Sequence, residues 1–114
     1  MAYVEQTSET DAALASLRQR VMEKHRITTT VGYGPRFLHS TGQLHKGGPA
    51  TGLFLQITTD YKVDIAVPGV DYSFGTLANA QSLGDIQTLQ SLGRRAARSH
   101  VTGNVATGIA KLRP

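Results

Sequence analysis

The 114-residue chain contains no cysteine and no tryptophan, and only 6% of it is aromatic. Without cysteine it can form neither a disulfide nor a thiolate metal site, which suits a reducing compartment and a cytoplasmic location. No apolar run approaches the ~18 residues of a membrane span. The start, Met1-Ala-Tyr-Val-Glu-Gln-Thr7, carries a glutamate and no basic flank, unlike a signal peptide. No Walker or GxGxxG pattern follows a β-branched run, so the usual nucleotide cradles are missing. His39 and His45 lie six residues apart with no carboxylate between them, a poor spacing for zinc. Ser40 has no nucleophile elbow and no Asp and His in triad order. These absences lead us to expect no metal, no cofactor and no membrane partner.

What is present is mildly basic. The net charge of +4 comes largely from Arg18, Arg20, Lys24 and Arg26 and from Arg94, Arg95 and Arg98. Glu23 interrupts the first cluster and no aromatic residue interleaves the second, so both read first as solvated faces. An anionic or phosphorylated substrate is the competing reading, and nucleic acid is not expected as a partner. With 39% hydrophobic residues, residues 1–114 fit one globular domain that buries roughly two thirds of its unfolded surface.

Periodicity sorts the chain into helices and strands. Leu14, Leu17 and Val21 recur at helical spacing and predict a helix over 9–26, with Thr7, Ser8 and Thr10 as candidate caps. Ile27–Val31 is β-branched throughout and predicts a strand, and Gly52–Thr59 predicts a central one. Val63–Val67 alternates and predicts a third. Ser73 is placed to cap a helix from Phe74, with Gly84-Asp85 breaking it and capping another that carries Ile86, Leu89 and Leu92 inward. A strand over 94–101 and a short helix over 105–112, capped by Asn104, complete the pattern. Strands alternating with helices imply an α/β fold with a mostly parallel sheet flanked by helices. Ala2-Tyr-Val4 reads as the end of a strand, as though the chain were part of something larger.

Polar chemistry concentrates in Gly34-Pro-Arg-Phe-Leu-His-Ser-Thr-Gly-Gln-Leu-His-Lys-Gly-Gly-Pro49. If 39–46 is helical and follows a parallel strand, it lies where open α/β sheets bind ligands. His39 and Gln43 would then share one face. An imidazole passes protons near neutral pH, as the opening of a sugar ring requires. Ser40 and Gln43 could touch hydroxyls, and Arg36 and Lys46 could meet a phosphate or line the rim. Each residue also has a plainer account: His39 as a loop-bonded structural histidine, His45 as a surface residue, Gly47-Gly48-Pro49 as a tight turn.

The segment Thr28-Thr-Thr-Val-Gly-Tyr-Gly-Pro-Arg-Phe-Leu-His-Ser-Thr-Gly-Gln-Leu-His-Lys-Gly-Gly-Pro49 closely resembles the C-terminal part of glucose-6-phosphate isomerase, as it occurs in bifunctional transaldolase/glucose-6-phosphate isomerase proteins. The likeness extends over about residues 2–102, through Thr51–Thr58, Pro68-Gly69, Tyr72–Gly75, Gly84-Asp85 and Gly93–Arg95, and leaves 103–114 as a divergent tail. It implies a portion of the second sugar-isomerase (SIS) domain and a role in interconverting glucose 6-phosphate and fructose 6-phosphate, in glycolysis and gluconeogenesis. His39-Ser40-Thr41-Gly42-Gln43 matches the family's His-Ser-x-x-Gln pattern, so by resemblance His39 opens the ring and Ser40 and Gln43 support it. The family's proton-shuttling carboxylate lies upstream of this segment, and Ala80 stands where classical members carry a lysine. The resemblance therefore implies a portion inactive without the remaining part, supplied covalently or in a complex. A half-domain would also expose apolar surface, so a homo-oligomer or a complementing isomerase or transaldolase chain is the expected partner. A non-catalytic sugar-phosphate-binding or interaction module of the same ancestry is the alternative.

Overall fold

The computed structural model describes residues 1–114. Its three strands, β1 (Ala2–Tyr3), β2 (Leu53–Thr59) and β3 (Arg95–Val101), lie side by side in chain order, all parallel. Parallel neighbours need long crossovers, and helices supply them. Helix α1 (Ser8–His25), a 3-10 turn (Arg36–His39) and α2 (Thr41–Gly47) connect β1 to β2. Helix α3 (Phe74–Ser91) connects β2 to β3, and α4 (Val105–Lys111) follows. The alternating pattern in the sequence thus yields the α/β fold expected of it.

Side chains alternate across a strand, so β2 presents Leu53, Leu55 and Ile57 to one face and Phe54, Gln56 and Thr58 to the other. On the first face, Ile57 and Val101 form a core with Leu14 and Leu17 of α1 and Ile109 of α4. On the second face, Gln56 Nε2 donates to the Ser82 carbonyl at 2.8 Å, and α3 buries Ile86 and Leu89. Each of these helices starts on a side-chain cap: Thr7 on the Thr10 N–H, Ser73 on Thr76 and Asn104 on Thr107. Such caps are worth about 1 kcal/mol apiece.

Four expectations are corrected. Ile27–Val31 is not a strand. The only pairing outside β1 joins Ala2 to Tyr33, so residues 27–31 lie at a level where the sheet has no strand to receive them. Val63–Val67 is not a strand either, apart from a bridge between Ala66 and Ser73. Here Asp64 turns to the start of α3, accepting from Ser73 Oγ at 2.6 Å and the Gly75 N–H at 2.8 Å.

Gly84-Asp85 does not break α3. A helical glycine costs about 1 kcal/mol, and the buried Ile86 and Leu89 on the same helix outweigh it. Leu92 falls just past the helix end and is 51% exposed rather than turned inward. Gly93, at φ 68°, supplies the left-handed stop. The helix expected over 105–112 forms as α4, which seats Ile109 at 0% exposure in the core.

Candidate functional site

The polar bend grows out of the open side of β1. Ala2 N donates to the Gly32 carbonyl at 2.8 Å and Gly34 N to the Ala2 carbonyl at 2.9 Å, so residues 32–34 run as a rudimentary fourth strand. Gly34 is required there, because a Cβ would meet the Tyr3 ring at 2.5 Å. After the cis Gly34-Pro35 bond the chain enters the 3-10 turn and then α2. The helical turn expected over 39–46 is present as α2, preceded by the 3-10 turn. The strand expected before it at Ile27–Val31 is replaced by the short pairing at Tyr33.

The five expected site residues separate into two groups. His39 is exposed and none of the chain's own groups bonds its ring. Ser40 Oγ donates to the Phe37 carbonyl and Gln43 Nε2 to the Leu38 carbonyl, both at 3.3 Å, so these side chains knit the corner that carries His39. Arg36 instead donates to Gln6 Oε1 at 2.9 Å. Lys46 turns inward, with its Nζ 2.9 Å from Asp85 Oδ1. Neither cation stands free beside His39.

His45 is not a surface residue. Its ring lies 5.8 Å from that of Phe37 and 5.0 Å from that of Phe54, and Nδ1 is buried without a partner. Burial holds its pKa below the ordinary histidine value.

Two groups were missed from the sequence. Asp85 is a buried carboxylate that also accepts from the Tyr3 hydroxyl at 3.3 Å. Its spacing from Ser82, Ile86 and Leu89 is that of one helix face, and this signal could have revealed it. The second group needs the sheet. The register pairs Thr58 with His100, Thr58 Oγ1 lies 2.9 Å from His100 Nδ1, and His100 Nε2 lies 3.3 Å from Asp60 Oδ1. Thr58 is buried, so this chain of contacts orients the strand ends and offers no accessible nucleophile.

A cleft of about 1010 Å³ opens beyond the carboxyl ends of the strands, where open parallel sheets bind ligands. Its walls come from the segments after each strand and from the first turns of α1, α3 and α4. Gly34 and Pro35 line it, whereas His39 does not. Four carboxylates border it, Glu5, Glu9, Asp60 and Asp64, against the single cation Lys62. The Ser73 hydroxyl and the Gly75 N–H hold Asp64 below the usual carboxylate range. Glu9 is likewise lowered, by its own backbone N–H and by the Thr7 and Ser8 hydroxyls.

A scan against family models and searches of curated proteins and solved structures find no match to this chain.

Proposed function

We propose that this chain is the ring-opening portion of a sugar-phosphate isomerase acting between glucose 6-phosphate and fructose 6-phosphate. The observation that carries this is the unpartnered, exposed imidazole of His39 on a corner braced by Ser40 and Gln43. Ring opening moves a proton onto the ring oxygen while the anomeric hydroxyl loses one. An imidazole has one nitrogen that donates a proton and one that accepts, so it can serve as either partner. The enediol base and the phosphate contacts come from the complementary isomerase portion, joined covalently or in a complex with an isomerase or transaldolase polypeptide. A missing general base forfeits about 10²–10⁴ in rate, and lost positioning adds to that, so the chain alone turns over little substrate.

The test follows the His39 ring by NMR during titration with glucose 6-phosphate and a phosphorylated hydroxamate that mimics the enediolate. A coupled isomerase assay of the same sample runs in parallel. Saturable movement of the His39 ring together with the Ser40 and Gln43 amides, without turnover, supports the proposal. An unmoved ring at millimolar ligand overturns it, as does turnover that survives His39→Gln. The engagement of Arg36 and Lys46 within the chain favours a second reading, a non-catalytic binding module of the same ancestry. In that case the loop amides move equally in His39→Gln.

A further inference from the structure

The sheet is covered unevenly. Helices α1 and α4 lie over the Ile57 and Val101 end of one face. On that same face Leu53 is 63% and Leu55 39% exposed, next to Ala97 of β3, also exposed. The radius of gyration, 14.5 Å, exceeds the about 13 Å usual for this length, as a half-covered sheet would.

β3 is also an open edge, with β2 its only neighbour. Alternate residues of a parallel strand bond to one side and those between to the other. Ile57 N donates to the Met1 carbonyl, so the odd residues of β2 serve β1 and its even residues serve β3. The even residues of β3, namely Ala96, Arg98 and His100, then present their N–H and C=O groups outward. An edge of this length beside a bare apolar row is a template for another strand.

The side chains say which strand. No Asp or Glu occurs anywhere from Ile86 to Pro114, and Arg95 and Arg98 are both exposed. Arg95 is engaged with the Thr51 carbonyl at 2.9 Å. Arg98 commits only its Nε, to Thr58 Oγ1 at 3.4 Å, which leaves the fork of its guanidinium unpaired. Full-length antiparallel pairing of β3 with a second copy centres on Arg98 and sets it opposite itself, a destabilising match. The unpaired guanidinium fork of Arg98, on the face opposite Ala97 and Leu55, welcomes a carboxylate instead.

We infer that β3 is a docking edge for an acidic strand of another polypeptide, one that alternates carboxylate and apolar side chains. The carboxylates lie on the Arg98 side of the sheet. The apolar side chains lean over the small Ala97 toward Leu55. This inference makes no use of His39 and stands apart from the isomerase proposal.

The experiment measures amide hydrogen exchange in the 114-residue chain with Ac-Glu-Val-Glu-Val-Glu-Val-NH2 and with its lysine counterpart, Ac-Lys-Val-Lys-Val-Lys-Val-NH2. The glutamate peptide at saturation is expected to slow exchange at Ala96, Arg98 and His100 by about tenfold or more, and the lysine peptide is not. Arg98→Glu, at an exposed edge, is expected to weaken the glutamate peptide roughly fivefold. Unchanged exchange at millimolar peptide overturns the inference, as does equal protection by both peptides. Protection that grows with protein concentration alone also overturns it, because the occupant is then a second copy.

Discussion

Replacing Lys46 with methionine keeps the length of the side chain and removes only its ammonium. That ammonium lies 2.9 Å from Asp85 Oδ1, with the Asp85 side chain 1% and the Lys46 side chain 27% exposed. Oδ1 has no other partner, and Oδ2 keeps only the Tyr3 hydroxyl at 3.3 Å. Lys46→Met therefore strands a carboxylate in a dry site. Breaking a buried pair from one side costs about 3–5 kcal/mol, and the partial exposure of Lys46 places this case near about 3 kcal/mol. Asp85→Asn is gentler, about 1–2 kcal/mol, because the amide still accepts from Tyr3 and Lys46 can swing its head into water. The double variant should be more stable than Lys46→Met alone, since the stranded charge is gone.

Urea denaturation followed by far-UV circular dichroism measures all three variants. With a slope of about 2 kcal/mol per molar, Lys46→Met lowers the midpoint by about 1.5 M. The chain buries 19 of its 114 residues, and domains have about 5–15 kcal/mol of stability in all, so this loss is large. A Lys46→Met protein within about 1 kcal/mol of the parent refutes the account of Asp85 as a buried, dependent charge. A double variant weaker than Lys46→Met refutes it equally.

Two further outcomes follow from burial. Because burial lowers the pKa of His45, the unfolded chain takes up that proton first, and stability should fall as pH drops below about 6.5. His45→Phe, between Phe37 and Phe54, should flatten that decline in urea midpoints between pH 5 and 7. The Met1 amine, lowered by burial to about 6, acts with the same sign at somewhat higher pH and remains in both proteins. Ile109→Ala should cost about 2–4 kcal/mol by thermal or urea unfolding. A loss below about 0.5 kcal/mol, the size expected of a surface change, would show that α4 is not part of the core.

The continuity of α3 through Gly84 was not legible in the sequence, because it depends on the burial of Ile86 and Leu89 rather than on local propensity. Helices α1 and α4, the start of α3 and the two longer strands were legible. Leu14 and Leu17 mark the buried stripe of α1, Ser73 and Asn104 stand at their caps, and Gly52–Thr59 reads as a central strand. Ile27–Val31 and Val63–Val67 misled for one reason. β propensity describes a residue that would suit a sheet, whereas a strand exists only where a neighbour satisfies its backbone. The level beside Ile27–Val31 has no such neighbour, and Asp64 diverts Val63–Val67 to the start of α3. Within the bend, the placement of His39 on an exposed corner was legible. The inward turn of His45 and Lys46 was not, because it depends on Phe54 and Asp85, residues remote in sequence. His100 likewise acquires Thr58 only through the β2–β3 register.

The charge of the large cleft bears on where a sugar phosphate would sit. Helix N-termini favour anions, and three of them open toward this cleft. Two are already served by the chain's own carboxylates: Asp64 accepts from the first turn of α3, and Glu9 lies in the first turn of α1. Glu5 and Asp60 add negative charge that Lys62 alone opposes. A phosphate dianion entering here would meet like charge from the β1–α1 and β2–α3 walls, and to reach the start of α3 it would have to displace Asp64 from its bonds. Neutral hydroxyls, which donate to carboxylates, meet no such opposition. A phosphate group would therefore call for cations other than Arg36 and Lys46, both of which are engaged within the chain. This distribution of charge is why the proposed isomerase activity is assigned to an assembly and His39 to the ring-opening step alone.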